Sequence, residues 1–426
     1  MKKIFFLLIG LLSSFIIGAQ TQNTIGASVK KILPGAYQVS EYLSLLKGKN
    51  VGIFANQTSM ICNTHLVDSL QKLGIKITKI FAPEHGFRGN ADAGEDIKTY
   101  TDSETGITVV SLYGAKLKPS GADLKDVDVL VFDIQDVGVR FYTFISSLQY
   151  FMESAIENDL PLIIFDRPNP NGFYVDGPVL DSSYKSFVGM QPVPIVYGMT
   201  IGEYAKMLLG ENWLPWKTAR KVDNKISIGE VLGFEEKHNN FKLTVIKCKN
   251  YTHKSRYLLP VKPSPNLATM DAIYWYPSTC FFEGTVLSEG RGTGYPFQIF
   301  GHPNLPDTLY SFIPKSNEGA KDPKWKDNVC YGWNLALGKE PTPIKIQVKW
   351  LIQAYDLFPD KENFFIKPKK LNPEPQDYFF NKLAGNKELM HQLISGKSEQ
   401  EIHDSWQPKL NVFKTIRKKY LLYPDF

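Results

Sequence analysis

Cysteine and histidine are scarce in this 426-residue chain, with four Cys and seven His, all widely separated. Cys62, Cys248, Cys280 and Cys330 form no C-x-x-C pair. A chain of this length needs no disulfide staple, so the four read as core thiols, free or partly paired. The histidines do not cluster with them, which leaves a zinc site unsupported. Long basic runs are missing and the formal charge is only +6, which argues against a nucleic-acid partner. The first apolar run is followed by Asn56-Gln57-Thr58 rather than by G-x-G-x-x-G, and no P-loop occurs, so no nucleotide cofactor is expected. Beyond residue 19 no segment is apolar for the ~20 residues that a bilayer span requires.

What is present points to a folded, exported protein. Hydrophobic residues make up 43% and charged residues 22%, which excludes a mostly disordered chain. The length suggests roughly two to three domains. Aromatics reach 13%, enough both for a large core and for a cleft lined with flat faces that suit sugars. Lys2-Lys3, a nearly continuous apolar stretch over 4–17 and Gly18-Ala19 have the layout of a signal peptide, residues 1–19. Its removal takes two lysines and lowers the charge from +6 to +4. The expectation is an exported protein, periplasmic or alternatively secreted, with no stable membrane insertion after cleavage.

Residues 50–165 carry a repeated rhythm of short apolar runs and helical stretches. Strands are expected over 51–55, 77–81, 107–112, 127–132 and 162–165, with helices over 65–73 and 141–156. Such alternation predicts an α/β fold with a parallel sheet covered on both faces. Further strands are expected over 193–196 and 242–247. Thr200-Ile201-Gly202-Glu203 is a capping box that opens a helix to 209. From about 257 proline and aromatic residues become dense, and helical stretches return over 350–355, 376–383 and 387–393. The expected division is 25–255 and a smaller α+β domain over 256–426.

Ligands of open parallel sheets bind beyond the carboxyl ends of the strands. Here the second run leads into Pro83-Glu84-His85-Gly86-Phe87-Arg88-Gly89, the fourth into Asp133-Ile134-Gln135-Asp136 and on to Arg140-Phe141-Tyr142, and the fifth into Asp166-Arg167-Pro168. Three strand ends that each carry a carboxylate and a nearby arginine predict a site on one rim. Structural roles fit some of them equally well. Asp166 suits a turn cap or an ion pair with Arg167, and Asp133 and Asp136 suit an ion pair with Arg140 or a helix start. Glu84 has no obvious helix to cap and is the stronger functional candidate; His85 beside it fits an orienting role. Gly290-Arg291-Gly292-Thr293-Gly294 fits a bare turn as well as an anion-binding nest.

These segments, with Pro263-Ser264-Pro265-Asn266 and Glu283-Gly284-Thr285, together resemble the NamZ-type exo-β-N-acetylmuramidase family from about residue 45 onward. Ala268 and Val286 depart from the family pattern, where Pro and Asn are expected. The resemblance implies a Rossmann-like N-terminal domain, a smaller C-terminal domain and an active-site cleft between them. It also implies release of N-acetylmuramic acid from non-reducing ends of peptidoglycan fragments, with such saccharides as the partner. Glu84, Asp133 and Asp136 are then the catalytic candidates, and His85, Arg88, Arg140, Tyr142, Asp166, Asn266, Glu283 and Arg291 the substrate-binding ones. The chemistry agrees. Glycoside hydrolysis needs a carboxylic acid as proton donor. The lactyl carboxylate of muramic acid suits an arginine fork, from Arg88, Arg140 or Arg291. Tyr142 or Tyr113 suits a sugar hydroxyl or ring face. The competing readings are a non-catalytic sugar-binding protein and a metal-dependent hydrolase using Asp133, Asp136 and Asp166.

Overall fold

Each apolar run expected over 51–165, and the one over 242–247, forms a strand of one sheet. The computed structural model describes residues 30–89, 98–214, 236–338 and 342–426. The expected signal segment lies outside them. The strands are β1 (Asn50–Ala55), β2 (Met60–Ile61), β3 (Thr64–His65), β4 (Lys76–Ala82), β5 (Tyr100–Thr101), β6 (Thr108–Ser111), β7 (Val129–Asp133), β8 (Leu162–Phe165), β9 (Leu243–Ile246), β10 (Ile299–His302), β11 (Tyr310–Phe312) and β12 (Cys330–Asn334). The main sheet has the order β5-β6-β4-β1-β7-β8-β9 and is parallel except for β5 at one edge. The chain winds outward from β1 through β4 to β6, then returns to β7 and winds the other way. This is the doubly wound Rossmann-like order, and its switch point lies between β1 and β7.

Side chains alternate across this sheet, and each face has its own core. Val51, Ile53, Ile80 and Val131 pack on one side with Tyr42 and Leu46 of the helix Val39–Leu46 and with Leu66 and Leu70 of the helix Leu66–Lys72. Phe54, Phe81, Phe132 and Ile164 pack on the other with Leu148, Phe151 and Met152 of the helix Phe144–Glu157. Thr200 and Glu203 form the expected capping box on the helix Ile201–Gly210.

Residues 193–196 do not form a strand; Val196 makes only isolated bridges to Val139 and Asp176. Pro192 and Pro194 lack the N–H that a ladder needs. The helix expected from 141 begins instead at Phe144, because 139–143 form a loop at the sheet edge. All four cysteines are free, as expected, but Cys62 is exposed rather than in the core.

After β9 a long loop, in which residue 255 lies, leads to the helix Met270–Thr279. A three-stranded antiparallel sheet, β10-β12-β11, follows with helices Lys349–Leu357, Phe379–Ala384, Glu388–Ile394 and Glu399–Lys418. Phe281, Phe300, Trp350 and Phe380 join the same core as Phe132 and Phe151, so the second half is welded to one face of the first. The last residues return to the main sheet. Tyr423 donates to Asp166 at 2.5 Å, Leu422 N–H to Glu203 at 2.7 Å, and Pro424 accepts from His253 N–H at 3.0 Å.

Candidate functional site

Glu84 leaves the carboxyl end of β4 in a tight turn, closed by Gly86 N–H on the Pro83 carbonyl at 3.0 Å. His85 and Gly86 both have left-handed backbones, φ 68° and 76°. Glu84 is half-buried and faces a cleft walled by Phe141, Tyr142, Leu267, Tyr276 and Phe297, with His85, Ser264, Asn266 and Arg291 on the same lining. The phenol of Tyr113 hydrogen-bonds the Glu84 carboxylate; burial, and then that negative charge, push the phenol well above its ordinary value. Tyr142 is pushed up by burial and by the charges of Asp136 and Glu84, so it stays a neutral donor, and its hydroxyl holds the Pro263 carbonyl at 2.7 Å.

The second half supplies the opposite wall. Ser264 Oγ lies 3.3 Å from His85 Nε2, and Asn266 donates to the Gly319 carbonyl at 2.8 Å. Arg291 is carried on the turn Gly290–Gly292. Gly292 has φ 78°, and a Cβ there would stand 2.5 Å from the Lys315 carbonyl oxygen, so this turn needs glycine. The Arg291 guanidinium meets Glu283 at 2.6 Å and Glu289 at 3.3 Å, and lies 5.1 Å from the centre of the Phe297 ring. Lys324 also pairs with buried Glu289, at 3.1 Å, and donates to the carbonyls of Phe282, Glu283, Thr285 and Leu287. Burial raises the Glu289 carboxyl, but Lys324 and Arg291 outweigh it and the net shift is downward. Two acids and two bases thus balance, and the cleft-facing arginine is held firmly.

The geometry brings together Glu84, His85, Tyr142, Asn266 and Arg291, with Glu283 attached through Arg291. The other expected residues lie elsewhere. Asp133 is buried in a bidentate pair with Arg167, at 2.6 and 2.8 Å. Asp166 accepts from Thr200, Gly202 N–H and Tyr423 at the start of the helix Ile201–Gly210; burial lifts its carboxyl to about 6 against those donors. Asp136 accepts from Tyr197 and from Gly138 N–H on Oδ2, leaves Oδ1 without a partner, and is lifted by burial to about 7. The three aspartates do lie beyond strand ends on one edge of the sheet, but they fix loops there instead of converging on the cleft. Each has its own donors, so the set does not form the oxygen cage of a metal hydrolase. Among the described residues no three His, Cys, Asp or Glu side chains group as a metal site.

Arg140 is fully buried and donates to the carbonyls of Pro178, Val193 and Leu383 at 2.8–2.9 Å; burial lowers it to about 9. It ties the two halves together below the cleft and is not available to a substrate carboxylate. Arg88 grips Asp102 through two bonds, at 3.1 and 2.8 Å, and meets Glu104 at 3.2 Å. Ser264, Tyr276 and Phe297 also line the cleft, beyond the expected residues. Ser264 sits inside the Pro263–Asn266 motif and was detectable there, whereas nothing local marks Tyr276 or Phe297.

Residues 51–271 match the family described as exo-beta-N-acetylmuramidase NamZ, N-terminal, and residues 274–423 match its C-terminal counterpart. The peptidoglycan beta-N-acetylmuramidase NamZ of Bacillus subtilis (strain 168) is 36% identical over 405 residues, spanning 90% of this chain and 89% of that protein. Two crystal structures of DUF1343 family proteins from Bacteroides fragilis NCTC 9343 share the fold. One is 43% identical with a TM-score of 0.79, covering 93% of this chain and 100% of the other. The second is 28% identical with a TM-score of 0.71, covering 92% and 99%.

Proposed function

Because the chain belongs to the exo-β-N-acetylmuramidase NamZ family, we propose that it removes N-acetylmuramic acid from the non-reducing ends of peptidoglycan fragments with Glu84 as general acid. It is a glycosidase. The observation that carries the acid role is that Glu84, among the described residues lining the cleft, is the one carboxylic acid. Cleavage of a glycosidic bond requires a proton at the leaving oxygen as charge builds on the sugar. The aromatic walls lower the local polarity beside Glu84, which strengthens polar contacts made there. Arg291 faces the same space with its guanidinium anchored from behind by Glu283 and Glu289, and it receives the lactyl carboxylate.

The signal-peptide layout of residues 1–19 supports export to the periplasm as part of this reading, where wall fragments are available for turnover or recycling. The test is hydrolysis of a chromogenic β-N-acetylmuramide beside its glucosaminide analogue, with the disaccharide as natural-type substrate. Glu84→Gln should lower kcat on the disaccharide by about 10²–10⁴-fold with little change in affinity. The loss should shrink on the aryl muramide, whose phenolate departs without a proton. Near-normal turnover of the disaccharide by Glu84→Gln would refute the acid role. A sugar-binding protein without catalysis would bind the muramide and release no phenolate.

A further inference from the structure

We propose that His85 is the positioning residue of the general acid: bonded across the cleft to Ser264, it holds the Glu84 peptide at the angle that proton delivery requires. The inference rests on the reading of Glu84 as the acid. His85 has φ 68°, a conformation that glycine adopts freely and a residue with a Cβ adopts only uncommonly. If the turn alone mattered, glycine would suit 85 as it does 86. The chain instead places an imidazole there, buries it to 6% exposure and sets Nε2 3.3 Å from Ser264 Oγ. Strained backbone of this kind persists where side-chain contacts over-determine it.

The partner is a fixed post. Ser264 lies between Pro263 and Pro265, and the preceding residues are clamped from the first half of the chain. Gln57 donates to the carbonyls of Lys262 and Pro263 at 3.2 and 3.1 Å, and Tyr142 donates to Pro263 at 2.7 Å. Ser264 Oγ also accepts from Asn266 N–H at 3.3 Å. A ring fixed to such a post fixes its own Cα, and with it the peptide that joins 84 to 85. Tyr113 steadies the far end of the Glu84 side chain. A misplacement of about 1 Å in a reacting group is enough to cost on the order of 10²-fold in rate.

The experiment compares wild type, His85→Gly, Ser264→Ala, Glu84→Gln and the Glu84→Gln/His85→Gly double variant. The substrates are a muramyl disaccharide and 4-nitrophenyl β-N-acetylmuramide. Glycine relaxes the backbone at 85, so His85→Gly should keep its Tm within about 4 °C of wild type. Its kcat on the disaccharide should fall roughly 10–100-fold. The aryl substrate should lose less than about threefold and KM should move less than about twofold, since only proton delivery is impaired. On the Glu84→Gln background the same change should add no further loss, because a pair acting as a unit is non-additive. Ser264→Ala should show the same substrate pattern with a smaller loss, and it carries the test should His85→Gly not fold. Equal losses on both substrates, a rise in KM with kcat intact, or full additivity would overturn the proposal and make His85 a direct sugar contact. Glu84→Gln without any leaving-group dependence would instead sink the acid reading itself, so the two failures are distinct.

Discussion

Asp136→Asn should make the protein more stable at neutral pH, although it deletes a charge from a conspicuous motif. The Asp136 carboxyl is buried, and burial lifts it from 3.8 to about 7 despite the donors Tyr197 and Gly138 N–H. In the unfolded chain it ionises at its ordinary value. Between the two values the folded state holds a proton that the unfolded state has released, so stability is fully present below pH 3.8 and declines as pH rises to about 7. The difference is roughly three pH units at about 1.4 kcal/mol each, or about 4 kcal/mol. Asparagine keeps an acceptor for Tyr197 and Gly138 N–H and does not titrate. Asp166, also raised, titrates alike in both proteins and cancels from the comparison. Urea unfolding of wild type and Asp136→Asn from pH 4 to pH 8 measures the gap. It should move in favour of the variant by about 4 kcal/mol between the ends of that range. A gap that stays constant with pH would refute the assignment of Asp136 as a buried neutral acid.

Arg140→Met should destabilise the fold by about 3–5 kcal/mol in urea melts, because three buried carbonyls lose their donor at once. A raised KM with normal stability would show instead that Arg140 meets the substrate. Arg291→Lys replaces a fork with a point charge and should raise KM for the muramide about tenfold while leaving the glucosaminide unchanged; equal effects on both would dissociate it from the lactyl group.

The main sheet was legible because its strands are short apolar runs, and 162–165 coincides with β8 to the residue. The order of those strands was not written locally; it emerges from both faces needing cover. The expected strand at 193–196 failed on two prolines that outvote its valines and isoleucine. No helix is expected over the helix Glu399–Lys418, because its composition is polar and it contains Pro408, yet Ile402, Trp406, Leu410 and Phe413 form a regular buried stripe. At the site, sequence located strand ends but not the direction of each side chain. Asp133 pairs with Arg167, 34 positions on, and not with the expected Arg140. Asp166 faces Tyr423, 257 positions away, which no local pattern announces. Glu84, His85, Tyr142, Asn266 and Arg291 were found because Pro- and Gly-punctuated loops leave polar side chains few structural tasks.

The return of residues 422–424 to the main sheet also sets a timetable for synthesis. Glu203 waits 219 positions for the Leu422 N–H, and Asp166 waits longer for Tyr423. At roughly 5–20 residues per second, the ribosome needs about ten to fifty seconds to deliver them. Over that interval Asp166 and Glu203 keep their nearby donors, Thr200 among them, but each lacks its one C-terminal donor. The core surface that the second half covers stays exposed over the same interval. Nascent chains arrested before Leu422 should be cut by protease around β8 and the helix Ile201–Gly210, and a few more residues should suffice to protect them.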